Sequence, residues 1–144
     1  MTRVLAQSEP APEIDLRQES IARHKADEHW SVIWVVENKA PNPLQILSAR
    51  LPHGQFKANE RRFEPPLNLA PGASCRFLVS VRCHEPPGPV TENAFVIFSV
   101  IWADSAWRIF VRVRVVAEAD GTPWTATELI TAQKVGFSGE ESNG

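Results

Sequence analysis

The chain has 144 residues, a length that suits one domain and lets folding bury roughly two-thirds of the chain surface without staples. Hydrophobic residues make up 43% and charged residues 22%, which excludes wholesale disorder. The formal net charge of −2 excludes a whole-domain basic field for nucleic acid, and no polybasic tail or amphipathic helix points to a membrane surface. The N-terminal stretch Met1 to Pro10 lacks the apolar core of a signal peptide, and no run approaches the ~18 apolar residues of a membrane span. The cytoplasm is therefore the expected compartment.

Residues 1–12 are polar, contain Pro10 and Pro12, and read as a loose tail. Glu13 to Ala22 reads as an edge-like first strand with Ile14, Leu16 and Ile21 as its apolar points. Glu28 to Asn38 reads as a central strand, because both its faces are largely apolar: Trp30, Val32, Trp34 and Val36 on one side, Ser31, Ile33 and Val35 on the other. Trp34, in mid-strand, is the expected core anchor. A proline turn separates it from a strand over Leu44 to Leu51, in which Leu44, Ile46 and Ser48 oppose Gln45, Leu47 and Ala49. Phe56 and Phe63 stand alone in polar surroundings and are expected to plug the core from short edge segments.

Asn68-Leu69-Ala70-Pro71-Gly72 has turn chemistry. Ser74 to Cys83 alternates cleanly, with Cys75, Phe77, Val79, Val81 and Cys83 inward and Arg76, Leu78, Ser80 and Arg82 outward. The two cysteines are eight residues apart on this strand. At ~3.3 Å per residue that is about 26 Å, far beyond the reach of a disulfide, so two thiols are expected. His84 to Val90 is a proline loop. Thr91 to Trp102 is a long apolar strand, Asp104-Ser105 the centre of a tight hairpin, and Trp107 to Glu118 the return strand. In the return strand Trp107, Ile109, Val111, Val113 and Val115 face inward, and Arg108, Phe110, Arg112, Arg114 and Val116 outward. After Asp120-Gly121-Thr122-Pro123, two readings stay open. Thr125 and Glu128 have capping-box spacing and predict a short helix over residues 126–134, while a β-extension through Leu129, Thr131, Gln133 and Val135 competes with it. Phe137 to Gly144 reads as a flexible tail.

Strands recurring with turn signals about every ten residues predict an all-β fold of seven to eight antiparallel strands, an immunoglobulin-like β-sandwich. The expected organisation is a tail over 1–12, the sandwich over 13–121 and a C-terminal extension over 122–144.

Three segments carry a family resemblance. Glu37-Asn38 followed by Pro43-Leu44-Gln45-Ile46 is similar to an N-x-x-x-x-P-L-x-I opening. Phe63 to Ser74 resembles an F-x-x-x-x-x-x-L-x-P-G-x-S signature, and Arg82 to Gly88 a V-x-F-x-P-x-x-x-G run. Together they resemble the Ig-like superfamily of major-sperm-protein domains and abnormal-spindle, SPD-2 and hydin-type domains, with their bacterial relatives, over roughly residues 28–118. Cys83-His84 stands where that superfamily has an aromatic, and the stretch after Thr122 has no counterpart in it. The resemblance implies a sandwich that is non-catalytic and binds other proteins or acts as a spacer.

His24, Asp27, Glu28 and His29 are close in sequence, but without a nearby cysteine partner or defined spacing they read as a solvated loop rather than a metal site. Adjacent Cys83 and His84 point to opposite faces of a strand, which suits no thiol–base pair. Glu140-Glu141 falls in the tail, and no nucleophile-elbow, phosphate-loop, zincin or dinucleotide fingerprint is present. No enzyme, cofactor or metal is therefore expected.

Arg108, Arg112 and Arg114 form a row on one outer face, with Phe110 inside it. Forked guanidinium donors around an apolar residue are the composition of protein interfaces, while a row of arginines also serves plain solubility. The expected function is a non-catalytic protein-interaction or scaffold module that uses Arg108, Phe110, Arg112 and Arg114 toward an unidentified protein. A homodimer through exposed edge strands is also open. The alternative is a carbohydrate-binding sandwich with Trp107 and Trp124 as stacking platforms. Nucleic acid and membrane are not expected partners.

Overall fold

The computed structural model describes residues 10–23, 29–52, 56–83 and 90–135, with the backbone alone for 90–93. Eight strands follow in chain order: β1 (Ile14–Arg23), β2 (His29–Asn38), β3 (Leu44–Leu51), β4 (Phe56–Leu69), β5 (Ser74–Cys83), β6 (Val90–Trp102), β7 (Ser105–Ala117) and β8 (Pro123–Lys134). All pairings are antiparallel, and the strands form one continuous sheet in the order β1-β2-β5-β4-β3-β6-β7-β8. Among the described residues there is no helix.

The sheet curls until its end strands, β1 and β8, face each other. They are tied by side chains rather than by a ladder. The Gln18 amide donates to Pro123 O at 3.1 Å, and its Oε1 accepts from both Thr125 N and Thr125 Oγ1 at 2.9 Å. Thr127 Oγ1 donates to Leu16 O at 3.0 Å. The result is a nearly closed, barrel-like sheet, a departure from two clearly separate layers. The cause is β4. Its first residues pair with β5 (Phe56↔Cys83, Lys57↔Arg82), and the strand then swings across to pair with β3 as far as Leu44↔Leu69.

Period-2 alternation makes the core. Trp34, Val32 and Val36 of β2, Phe77, Val79 and Val81 of β5, and Ile109, Val111, Val113 and Val115 of β7 alternate inward, as strand geometry requires; the outward residues between them are polar in β5 and β7 except Leu78 and Phe110, and apolar in β2. Trp34 is 1% exposed and lies among Phe56, stacked at 6.5 Å, and Phe77, edge-on at 6.2 Å. Two details differ from the simple alternation. A register shift between Ile46 and Ser48 and another between Ala49 and Leu51 change the phase of β3, so Leu44, Ile46, Ser48, Ala49 and Leu51 are all buried. Phe56 and Phe63, expected on short edge segments, instead belong to one 14-residue strand.

The C-terminal helix reading is overturned: residues 123–134 form β8, paired with β7 from Ala117↔Pro123 to Trp107↔Lys134. The capping-box residues serve tertiary partners instead. Thr125 is bonded to Gln18, and Glu128 lies against Arg112 and Arg114. The turn before β8 is fixed by Gly121 (φ +90°) and by Asp120, which accepts from Thr122 N at 3.0 Å. Hydrogen bonding from Thr122, side chain first and backbone second, holds the Asp120 carboxyl below its ordinary range.

The β6–β7 hairpin is centred one residue earlier than expected. Trp102 pairs with Ser105, and Ala103 (φ 49°) and Asp104 (φ 62°) make the two-residue loop. Positive φ at both central positions is the primed turn that matches strand twist, and it suits Asn-Gly rather than alanine. Ala103→Asn is therefore expected to raise stability by about 0.5–1 kcal/mol, since asparagine tolerates the left-handed region far better. An upward shift of the urea midpoint at constant slope checks this. An unchanged midpoint would show that the loop carries no such strain.

Candidate functional site

The outer face of β3, β6, β7 and β8 collects the predicted interaction residues. Strand register sets three rows across it. Arg50, Ile97, Phe110 and Thr131 lie side by side; Ser99, Arg108 and Gln133 flank them on one side, and Phe95, Arg112 and Leu129 on the other. Ile97 is only 6% exposed although it faces outward, because Arg50 and Phe110 stand on either side of it. Phe110 is half-buried, and Leu129 is 49% exposed. The centre of the face is thus apolar and its margin cationic.

A bulge in β8 between the Leu129 and Thr127 pairings sets Glu128 apart from the ladder. Its carboxylate pairs closely with Arg114 Nη2 at 3.0 Å and lies at ion-pair distance, 3.7 Å, from Arg112 Nε, which has no hydrogen-bond partner. Arg108, Phe110, Arg112 and Arg114 are therefore brought together as the alternation predicts. Arg50, Ile97, Glu128 and Leu129 are the members that sequence reading missed. The available signal was β6, whose Phe95, Ile97 and Ile101 make its outer side apolar as well.

The opposite outer face is built differently. Arg76 Nε donates to both oxygens of Glu19, at 2.8 and 2.9 Å. Val35, 6% exposed, sits in register between Arg17 and Arg76. This face thus ties Arg76 to an acid and also carries Leu78, 45% exposed.

Trp107 and Trp124 do not make a shared platform. Trp107 faces inward at the Lys134 end of β7, edge-on to Trp102 at 5.9 Å, with its Nε1 buried. Trp124 lies at the other end of β8, opposite Val116 on the outer face. At ~3.3 Å per residue these positions are about 30 Å apart along the sheet.

Clefts also open among the described residues. One of about 600 Å³ opens where β4 leaves β5, among His29, Lys57, Arg61 and Arg82. Arg61 there donates to Leu78 O at 3.2 Å and lies over the Phe63 ring. A second, about 490 Å³, lies between β1 and β8. A third, about 530 Å³, lies by the turns at Pro43, Ala70 and Ala103.

Cys75 and Cys83 are not bonded to each other, and burial pushes the Cys75 thiol up from its ordinary value, away from the reactive thiolate. Of the other sequence candidates, His24, Asp27, Glu28, His84, Glu140 and Glu141 lie outside the described residues. Among the described residues no helix is long and apolar enough to cross a membrane, and no three His, Cys, Asp or Glu side chains gather as a metal site. In comparison with known proteins, no family model matches the chain, and no curated protein matches it.

Proposed function

We propose that the chain is a non-catalytic protein-interaction module of immunoglobulin-like sandwich type, which docks a partner protein on the outer face of β6, β7 and β8. The observation that carries this reading is the ring of Arg108, Arg112 and Arg114, with Arg50, around the half-buried Phe110. A desolvated aromatic with arginines at its margin is the composition of binding hot spots. The Glu128 carboxylate holds Arg114 in place before a partner arrives, which reduces the entropy lost on binding, and leaves the buried Arg112 Nε a donor without a hydrogen-bond partner.

The sandwich reading is supported by the way β1, β2 and β5 lie on one side and β3, β6, β7 and β8 on the other, with β4 crossing between them through a single short pairing to β5. Kinship with the major-sperm-protein and hydin-type superfamily belongs to the same reading. Its support is the buried Asn38 and the Pro71-Gly72 turn, which occupy the positions of that superfamily's turn signatures. A cytoplasmic setting is also part of it, in keeping with cysteines that are not joined to each other.

Affinity capture from the native host, with the wild-type chain against Phe110→Ala/Arg112→Ala, tests the face. At about 2 kcal/mol for either hot-spot side chain alone, the double substitution is expected to weaken binding by about thirtyfold or more, with the chain still folded by circular dichroism. Equal capture by a folded double mutant rejects this face.

A further inference from the structure

The seam between β1 and β8 is closed along only part of its length. Gln18, Thr125 and Thr127 bridge it at one end, and beyond Leu16 the strands part around the groove of about 490 Å³. Hydrogen-bond alternation shows which backbone groups face this groove. Lys39 N donates to Glu13 O at 2.8 Å, so Glu13 faces β2 and its neighbour Ile14 faces away. Val135 N donates to Ala106 O at 2.8 Å, so Val135 faces β7, and Lys134, Ala132 and Ile130 face away. Among the described residues these outward groups have no hydrogen-bond partner, and those of Ile14, Ile130 and Ala132 line the two walls of one groove.

The side chains are ordered too. Ile14, Ile130 and Ala132 point to the interior and form the floor, while Glu13, Asp15 and Thr131 stand at the rim. The rim cation, Lys39, already lies 3.9 Å from Glu37, which leaves the carboxylates of Glu13 and Asp15 to dominate.

We propose that this open half-seam is a strand-insertion site, taking an extended segment of a partner protein that alternates apolar with basic residues. Unpaired amides and carbonyls on both walls call for a polypeptide backbone, since only that supplies matching donors and acceptors at strand spacing. The apolar floor takes the inward side chains, and Glu13 and Asp15 take the basic ones between them. The occupant is an extended segment rather than the edge of a second folded copy, because the copy's own β1 and β8 edges are turned toward each other in the same seam. At ~3.3 Å per residue, the β8 wall from Ile130 to Ala132 offers about 7 Å, room for some two to three residues. This site adjoins the arginine face at Thr131 but uses neither Phe110 nor the arginines, so substitutions there and at Glu13 and Asp15 test the two readings independently.

The probe is a synthetic peptide of roughly seven residues alternating valine and lysine, long enough to overhang the groove. Its controls are the same composition in blocks and the same peptide with alternate amides N-methylated. Hydrogen exchange on the full chain reads the groove-facing amides of Ile130 and Ala132. The alternating peptide is expected to slow them about tenfold or more, and neither control to do so. Ala132→Pro removes a groove-facing N–H at an edge position that tolerates proline, and is expected to weaken peptide binding about tenfold. Glu13→Lys/Asp15→Lys is expected to weaken it several-fold without touching the backbone. Equal protection by the N-methylated peptide, or none at millimolar alternating peptide, overturns the proposal. So does protection without peptide: independent of dilution it assigns the groove to the chain's own segments, and lost on dilution it assigns it to a second copy.

Discussion

Asn38→Ala is expected to destabilise the protein by about 3–4 kcal/mol, a large effect for a polar substitution. Asn38 is fully buried at the end of β2 and serves two turns at once. Its Nδ2 donates to Asn42 O at 2.9 Å and to Leu69 O at 3.0 Å, and its Oδ1 accepts from Ala40 N at 2.9 Å. Its backbone adds two further bonds, N to Ala73 O and O from Gly72 N. Alanine keeps those backbone bonds but orphans the buried Ala40 N–H and Leu69 carbonyl, each costing about 1–3 kcal/mol, whereas Asn42 is exposed and water can replace its bond. Asn38→Asp is expected to do no better, because a carboxylate cannot donate to two carbonyl oxygens and is buried facing them. Urea unfolding checks both: with a slope of about 1–3 kcal/mol/M, the midpoint should fall by 1 M or more. A loss below about 1 kcal/mol would mean that the two turns hold themselves.

The residues that sequence reading located best are those whose signal is local. β3 and β5 begin where expected because they follow the Asn42-Pro43 and Pro71-Gly72 turns, β5 alternates cleanly, and Trp34 stands out as a large apolar residue on a strand with two apolar faces. β4 was not legible as one strand. Its run from Lys57 to Arg62 is polar because there it passes from β5 to β3 with much of its length facing solvent, leaving Phe56 and Phe63 as isolated anchors. β8 was ambiguous for a different reason. Thr125 and Glu128 have the chemistry of a helix start, and only partners remote in sequence, Gln18 and the arginines of β7, commit them to a strand. The same distinction divides the sites. The arginine row with Phe110 follows from period two within a single strand. Arg50, Ile97 and Leu129 join it only through the register of neighbours, and the groove between β1 and β8 exists only once the sheet has curled around to bring its two ends together.

That curling depends on a core shared by strands from both sides of the sheet, and Phe77 is where they meet. Its ring is edge-on to Trp34 of β2 at 6.2 Å, to Phe63 of β4 at 5.5 Å and to Phe98 of β6 at 5.8 Å. Each such pair contributes about 0.5–1.5 kcal/mol beyond the area it buries, and a buried phenylalanine cut to alanine costs about 3–5 kcal/mol through lost transfer energy and the cavity left behind. Phe77→Ala is therefore expected to cost about 4 kcal/mol, lowering the thermal midpoint by roughly 10–15 °C. Phe77→Leu keeps most of the volume and loses the ring geometry, so its cost of about 1–2 kcal/mol isolates the aromatic contribution. Near-ultraviolet circular dichroism should change with both substitutions, since Trp34 loses its edge-on neighbour in each. If Phe77→Ala cost no more than Phe77→Leu, the core would be collapsing around the missing ring, and the two sides of the sheet would be held by their ladders rather than by the aromatic cluster between them.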